Sequence, residues 1–167
     1  MIVSAINKEQ IWDFLKEIPD PEVPAINIVE LGVVRDVLME DDKIQITITP
    51  TYSGCPAMKV MEEDILSTLK EKGFQNITIK TVFSPAWTTD WMSEETKSKL
   101  KTYGIAPPEK LAAEQIFPFL SDKKKTIACP YCNSENTVLK SQFGSTVCKA
   151  LYFCNNCTQP FEHFKCH

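Results

Sequence analysis

The sequence predicts an α+β fold: a small α-β-β-α-β domain with a mixed sheet covered by helices, followed by a small zinc ribbon. Three observations predict it. Apolar residues over about the first 85 positions switch between helical and strand periodicity. Six of the seven cysteines fall within residues 129–166. Residues 1–120 carry 12 Lys and Arg against 19 Asp and Glu, whereas residues 121–167 carry 6 against 3, so two chemically different regions are indicated.

The first predicted element is an amphipathic helix. Asn7 is a suitable N-cap for it. Apolar residues follow at the spacing of one buried helix face: Ile11, Phe14, Leu15 and Ile18. The prolines at positions 19, 21 and 24 then end the helix.

Two strands joined by a turn come next. Residues 28–38 are rich in Val, Leu and Ile, and residues 43–50 alternate Ile with polar Gln and Thr. The acidic segment 40–42 between them suits a tight connection.

A second helix follows the loop 51–56, and a third strand follows the helix. The predicted buried face of this helix comprises Val60, Met61, Ile65, Leu66 and Leu69. Gly73 is the predicted stop, and residues 77–83 form the strand that completes the α-β-β-α-β order.

Residues 84–92 form a loop with two tryptophans, and a short helix follows it. Aromatic residues in such a loop either join a core or anchor a contact with another protein, so Trp87 and Trp91 are candidate partner-binding residues. Ser93 is placed to start the helix and Gly104 to end it.

Four cysteines have the spacing of a zinc ribbon. Cys129 with Cys132 and Cys154 with Cys157 form two C-x2-C pairs separated by 21 residues. Two residues between ligands let one turn offer both sulfurs to one ion, and two turns supply four thiolates at about 2.3 Å. A site closed by four protein ligands is expected to be structural, and zinc would supply much of the folding energy of so short a segment.

The charge and the metal identity of this site follow from its ligands. Four thiolates around Zn2+ leave a net charge of about −2, which Lys140 and Lys149 are placed to offset. Spacing leaves two alternatives open, an iron–sulfur or rubredoxin-like iron site and a redox dithiol pair.

The other thiol and imidazole groups near the C-terminus have less defined roles. Cys148 is a candidate additional thiol, either a buried small side chain or a reactive group. His163 and His167 are expected to be exposed or packed rather than metal ligands, and Cys166 lies outside the two cysteine pairs without an assigned role.

A second candidate site precedes the second helix. Cys55 comes directly before Pro56 at the predicted helix N-terminus, where the helix dipole and free N–H groups lower a thiol pKa. Asp20 and Glu22 lie in a proline-interrupted loop that can display carboxylates at the same end of the sheet. The alternative is that Cys55 faces the core and Asp20 forms a turn. Because no base forms an evident triad with Cys55, a hydrolase is not indicated.

Several segments resemble known families. Asp20-Pro21-Glu22-Val23-Pro24, the segment 28–34 and Thr51-Tyr52-Ser53-Gly54-Cys55-Pro56 resemble the small domain of SufT and related iron–sulfur assembly factors, over about the first 85 residues. Five further segments are similar to the PaaD (PaaJ) family: 84–92, 103–108, 143–146, 148–152 and 160–161. The two resemblances together cover nearly the whole chain.

The PaaD resemblance implies an accessory subunit of the phenylacetyl-CoA epoxidase system in aerobic phenylacetate degradation, rather than an enzyme. That complex is a di-iron multicomponent monooxygenase whose reductase carries an iron–sulfur cluster and flavin. The implied role is maturation of its iron or iron–sulfur centres, with Cys55, Asp20 and Glu22 handling transient iron or a cluster and the four paired cysteines holding zinc. Implied partners are the oxygenase subunits or reductase and the iron–sulfur assembly machinery. The alternative is a non-catalytic docking subunit without metal transfer, for which Cys55 would be buried and replaceable.

The predicted domains are a SufT-like domain at 1–107, which includes the tryptophan loop and extra helix, a linker at 108–125 and a zinc ribbon at 126–167. No segment has the length and hydropathy of a membrane span or the pattern of a signal peptide, so a cytoplasmic protein is expected. The net charge of −4 argues against a nucleic-acid partner. A homodimer is a further expectation for a domain of this size.

Overall fold

The computed structural model describes residues 7–40, 42–109 and 126–165. Three sequence predictions fall outside the described residues: the linker segment 110–125, Cys166 and His167. The chain divides into two compact units between Trp87 and Thr88.

The first unit has the predicted α-β-β-α-β order. Its elements are α1 (Lys8–Lys16), β1 (Val34–Glu40), β2 (Lys43–Ile48), α2 (Ala57–Glu71) and β3 (Asn76–Thr81). The central strand β2 pairs antiparallel with β1 and parallel with β3, so the sheet is mixed, as predicted. The helices α1 and α2 contact each other, and they pack on β1 and β3 respectively.

The local sequence accounts for α1. Asn7 Oδ1 accepts a hydrogen bond from the Gln10 N–H at 2.9 Å, and Gln10 Oε1 accepts one from the Asn7 N–H at 3.0 Å. This reciprocal capping box satisfies two N–H groups that the helix leaves unpaired. Ile11 and Leu15 are fully buried, which confirms the predicted apolar face.

The second helix also follows its apolar pattern, except that Leu66 is only half-buried and Val60 is exposed. Met61, Ile65 and Leu69 are buried, as predicted. Val60 is 44% exposed, so its assignment to the buried face was wrong. The buried side of α2 begins with Ala57 and Met58, and the helical period of 3.6 residues turns position 60 away from that side.

The first strand is shorter than predicted, because residues 28–33 form a turn instead of strand. The Asn27 side chain accepts hydrogen bonds from the N–H groups of Val29 and Glu30, and the Glu30 carboxylate accepts one from the Asn27 N–H. A buried apolar turn and a buried strand cannot be distinguished by hydrophobicity alone. Here the hydrogen bonds of the Asn27 side chain favour the turn.

The second unit combines a helix with a four-stranded sheet. After a short 3-10 turn at Thr89–Trp91, its elements are α3 (Glu94–Tyr103), β4 (Ile105–Ala106), β5 (Thr137–Ser141), β6 (Lys149–Cys154) and β7 (Pro160–Phe164). The strand order is β4-β7-β6-β5, with β4 parallel to β7 and the other pairs antiparallel. The Ser93 side chain caps α3 through the Thr96 N–H, as the sequence predicts.

The two units divide earlier in the chain than the predicted domains do. The predicted first domain, 1–107, includes α3 and β4, whereas both elements lie in the second unit. The reason is that β4 pairs with β7, which joins Ala106 to His163 in register. None of the described helices has both the length and the apolar character that a membrane span requires.

Candidate metal centre

Cys129, Cys132, Cys154 and Cys157 converge in the second unit. The Sγ atoms of Cys129 and Cys157 lie 3.6 Å apart, as do those of Cys132 and Cys154. All four sulfur atoms lie within 4.8 Å of one another. Across the described part of the chain, no other group of three or more His, Cys, Asp or Glu side chains brings its ligand atoms together in this way.

This geometry fits four thiolates around one metal ion. In a tetrahedral site with metal–sulfur bonds of about 2.3 Å, the sulfur atoms lie about 3.8 Å from one another. A disulfide would bring two of them to about 2.05 Å, and all four cysteines are free. Soft sulfur donors at tetrahedral spacing suit zinc or iron, and four protein ligands leave no open position for a substrate.

The two cysteine pairs share one backbone conformation. The N–H of Cys129 donates to the carbonyl of Ser134 at 3.0 Å, and the N–H of Cys154 donates to the carbonyl of Gln159 at 2.9 Å, five residues on in each case. Each pair is followed by a residue with a left-handed backbone: Asn133 (φ 59°) and Thr158 (φ 58°). Two copies of one tight turn therefore present two sulfurs each.

Hydrogen bonds make one of the four thiols easier to ionise. The backbone N–H of Ser134 donates to the Cys132 sulfur and, with the Asn156 amide, lowers the pKa of Cys132 to about 6. The Asn156 Nδ2 atom lies 3.7 Å from that sulfur. Burial has the opposite effect on Cys157 and raises the pKa of that thiol to about 12. Asn156 was not among the predicted site residues, although a polar side chain between two ligating cysteines was an available signal.

The cysteines belong to the core of the second unit. Cys129 and Cys154 are fully buried and cluster with Ala106, Ile127 and Phe161. This cluster is small, and a core of this size contributes little folding energy.

A partly buried ion pair lies in the same sheet, towards the end of β6 that is opposite Cys154. Lys149 Nζ lies 3.1 Å from Glu162 Oε2, and Glu162 Oε1 accepts a hydrogen bond from the Ser145 N–H. Burial acts to raise the pKa of Glu162, but the hydrogen bonds from Ser145 and Lys149 outweigh it and hold that pKa below its ordinary value. Lys149 thus has a carboxylate partner in addition to any influence on the metal site, and Glu162 is a residue that the sequence analysis missed.

Cys148 and His163 are not members of the four-cysteine group. Cys148 is buried, and its sulfur lies 3.0 Å from the Thr146 hydroxyl oxygen. His163 is also buried, with Nδ1 3.2 Å from the carbonyl oxygen of Ala106 and its ring edge-on to Tyr152. His163 is therefore packed inside the second unit.

In the first unit, Cys55 directly precedes the N-cap of α2, as the sequence predicts, but its side chain has little exposure to solvent. Its carbonyl accepts a hydrogen bond from the Met58 N–H at the first turn of α2, and Pro56 is the N-cap. Only 9% of Cys55 is exposed to solvent. This is the degree of burial that the docking-subunit alternative predicts.

The Asp20 carboxylate organises its own loop. Asp20 is 3% exposed, and its Oδ1 accepts hydrogen bonds from the N–H groups of Glu22 and Val23 at 3.0 and 2.6 Å. This is the turn-forming role that the sequence analysis kept as its alternative. Glu22 itself is half-buried. Asp20, Glu22 and Cys55 do not form a three-ligand cluster of the kind that the four cysteines form.

The two tryptophans differ in accessibility. Trp87 is 4% exposed, and its Nε1 donates to the carbonyl of Leu31 at 3.0 Å within the first unit. Trp91 is half-buried, and Phe83 nearby in sequence is 63% exposed. Trp87 is thus a core residue in this structure, whereas Trp91 and Phe83 are the more accessible aromatic side chains of the segment.

Comparison with known families divides the chain in a similar way. Residues 8–78 match the family described as "Iron-sulfur cluster assembly protein", and residues 114–165 match the family described as "PaaD zinc beta ribbon domain". The first match spans most of the α-β-β-α-β unit, and the second includes all four clustered cysteines.

Individual relatives match either nearly the whole chain or little more than half of it. A protein of Escherichia coli strain K12, provisionally named as a subunit of 1,2-phenylacetyl-CoA epoxidase, is 42% identical over 94% of this chain and 92% of its own. An Fe-S protein maturation auxiliary factor of Porphyromonas gingivalis is 34% identical over 56% of this chain and 90% of its own. The crystal structure of a domain of unknown function, DUF59, from Bacillus anthracis covers 56% of this chain and 90% of its own, with a TM-score of 0.52 and 29% identity.

Proposed function

Because the chain belongs to the PaaD family, which includes the Escherichia coli epoxidase protein, we propose that it is an accessory protein that matures iron or iron–sulfur centres of the phenylacetyl-CoA epoxidase system. The observation that carries the proposal is the combination of both family domains in one chain, aligned with the Escherichia coli relative over nearly its whole length. The proposed partners are the oxygenase subunits or their reductase, together with the iron–sulfur assembly machinery.

The first unit is the proposed site of contact with the iron cargo. Its match to iron–sulfur assembly proteins and to a maturation auxiliary factor supports this assignment. Cys55 is the only cysteine in residues 1–87, and a thiolate is the usual protein ligand of iron–sulfur clusters. Ser53 and Gly54, which directly precede it, are exposed, so a small rearrangement of this loop would uncover the sulfur. Asp20 and Glu22 are the proposed additional carboxylates.

The second unit is the proposed docking module, with zinc as its structural metal. Four sulfurs at tetrahedral spacing and two matching turns support a closed four-thiolate site. When bound, zinc would supply a cross-link between the two turns. Cys129, Cys132, Cys154 and Cys157 would hold it, and the N–H groups and Asn156 around Cys132 would orient that sulfur.

A second candidate function is favoured by one observation, the burial of Cys55. If the thiol stays covered, the protein is a non-catalytic docking subunit of the oxygenase and transfers no metal. Cys55 would then serve as a small core side chain at the start of α2.

Replacing Cys55 in cells that depend on this chain distinguishes the maturation function from the docking function. The variants are Cys55→Ala and, as a matched control, Cys148→Ala, because Cys148 is also buried and lies outside the four-cysteine group. The readouts are iron per purified oxygenase and reductase, and epoxidase activity on phenylacetyl-CoA. Maturation predicts that only Cys55→Ala lowers both readouts. Normal iron and activity with Cys55→Ala, together with loss of activity but normal iron when the whole chain is deleted, would favour the docking function.

A further inference from the structure

The C-terminal end of α3 lies against the first cysteine pair. Tyr131 is one of the two residues between Cys129 and Cys132. A Cβ atom added at Gly104 would stand 2.7 Å from the Tyr131 hydroxyl oxygen and 3.1 Å from its ring carbon Cε1. Gly104 ends α3 with a φ of 94°, a conformation that side-chain-bearing residues rarely adopt. The tyrosine therefore lies directly on the helix end.

The strand that leaves α3 is held by the same part of the molecule. Ala106 in β4 pairs with His163 in β7, and its carbonyl oxygen lies 3.2 Å from His163 Nδ1. Ala106 is 1% exposed and belongs to the buried cluster that contains Cys129 and Cys154. The α3–β4 segment thus contacts Tyr131, which lies between two of the cysteines, and the buried cluster that contains Cys129 and Cys154.

Metal binding would fix these groups. Tyr131 is confined when both of its neighbouring ligands bind one ion, and the cluster around Cys129 and Cys154 is completed by the same ion. A ribbon of about 45 residues has too small a core to stay folded without it. Removing the metal would therefore remove the surface on which the helix end and β4 rest.

We propose that metal binding at the four-cysteine site docks α3 and β4 onto the ribbon, so that this upstream segment is ordered only in the metal-bound protein. The metal-dependent part of the chain then begins at α3, 35 residues before the first ligand. This inference goes beyond the proposed function, because it concerns a conformational change within the second unit and holds whether or not Cys55 handles iron.

The first test compares amide hydrogen exchange in the full chain loaded with zinc and in the same chain after chelation. We expect residues 94–106 to exchange at least about tenfold faster without zinc, and α2 in the first unit to be unchanged. The helix α2 serves as the internal reference. Equal protection of residues 94–106 in the two samples would overturn the proposal.

The second test keeps the metal and removes the contact. Tyr131→Ala takes away the ring without touching a ligand, whereas Tyr131→Phe keeps the ring on Gly104. With zinc counted and present in both variants, we expect faster exchange of residues 94–106 in Tyr131→Ala and near-normal exchange in Tyr131→Phe. Wild-type exchange of this segment in zinc-loaded Tyr131→Ala would show that Tyr131 does not hold the helix end, and would refute the proposed contact.

Discussion

The Lys149 ammonium lies 3.1 Å from the Glu162 carboxylate in the sheet of the second unit, and the Lys149 side chain is only 4% exposed. A buried charge that loses its partner is costly, whereas replacing both charges is tolerated far better. The Glu162 side chain is 23% exposed, so a Glu162 carboxylate without Lys149 would lose less stability than a Lys149 ammonium without Glu162. The pair is therefore expected to matter for stability mainly when only one of its members is removed.

Glu162→Gln is predicted to lower the free energy of unfolding by about 2 kcal/mol, because it removes the carboxylate charge that lies 3.1 Å from the buried Lys149 ammonium. Urea unfolding of the zinc-loaded protein measures the change. Lys149→Met combined with Glu162→Gln is expected to recover a large part of the loss. Glu135→Gln is a suitable control, since Glu135 is exposed. A double variant as unstable as Glu162→Gln would contradict this account.

The same carboxylate predicts a pH dependence. The pKa of folded Glu162 lies below its ordinary value of 4.5, so its contribution to stability is present above that value and is lost as pH falls through the folded pKa. The stability gap between wild type and Glu162→Gln should thus be constant from neutral pH down to about 4.5 and close at lower pH. Urea unfolding of both proteins across this range measures the gap. A gap that closes above pH 5 would mean that the folded pKa is not lowered.

Replacing any one of Cys129, Cys132, Cys154 and Cys157 by Ser is predicted to abolish tight metal binding and to unfold the ribbon, because three ligands cannot close the site. Elemental analysis should find about one zinc per wild-type chain and much less in each variant. Cys148→Ser is the matched control, as this thiol lies outside the group. Unchanged zinc content and melting in the four ligand variants would exclude a structural metal there.

Local signals in the sequence were enough to predict several parts of the structure. The Asn7 cap and the apolar spacing after it predict α1, since both cues act within one or two helical turns. The C-x2-C spacing predicts the metal centre for a similar reason, because each pair of ligands lies within a single turn. The two pairs are then expected to come together, because the metal requires four donor atoms.

Features that depend on distant partners could not be predicted in this way. The strand β4 is two residues long, and only its pairing with β7 defines it. The burial of Cys55 and Trp87 depends on what packs over them, and the Trp87 hydrogen bond to Leu31 joins residues 56 positions apart. The segment 28–33 shows a local failure, where the Asn27 cap outweighs strand propensity.

Asn156→Ala is predicted to weaken metal binding by about tenfold, since hydrogen bonds to a ligand atom from outside the coordination shell commonly contribute that much. The Asn156 amide lies 3.7 Å from the Cys132 sulfur, whereas the amide of its neighbour Asn155 donates to Asn136 Oδ1 at 3.0 Å. Asn155→Ala is therefore a control of identical chemistry one position away. Competition for zinc against a chromophoric chelator measures both affinities. Equal weakening by the two variants would assign the effect to the turn as a whole, and an unchanged affinity in Asn156→Ala would show that its contact with the sulfur does not contribute.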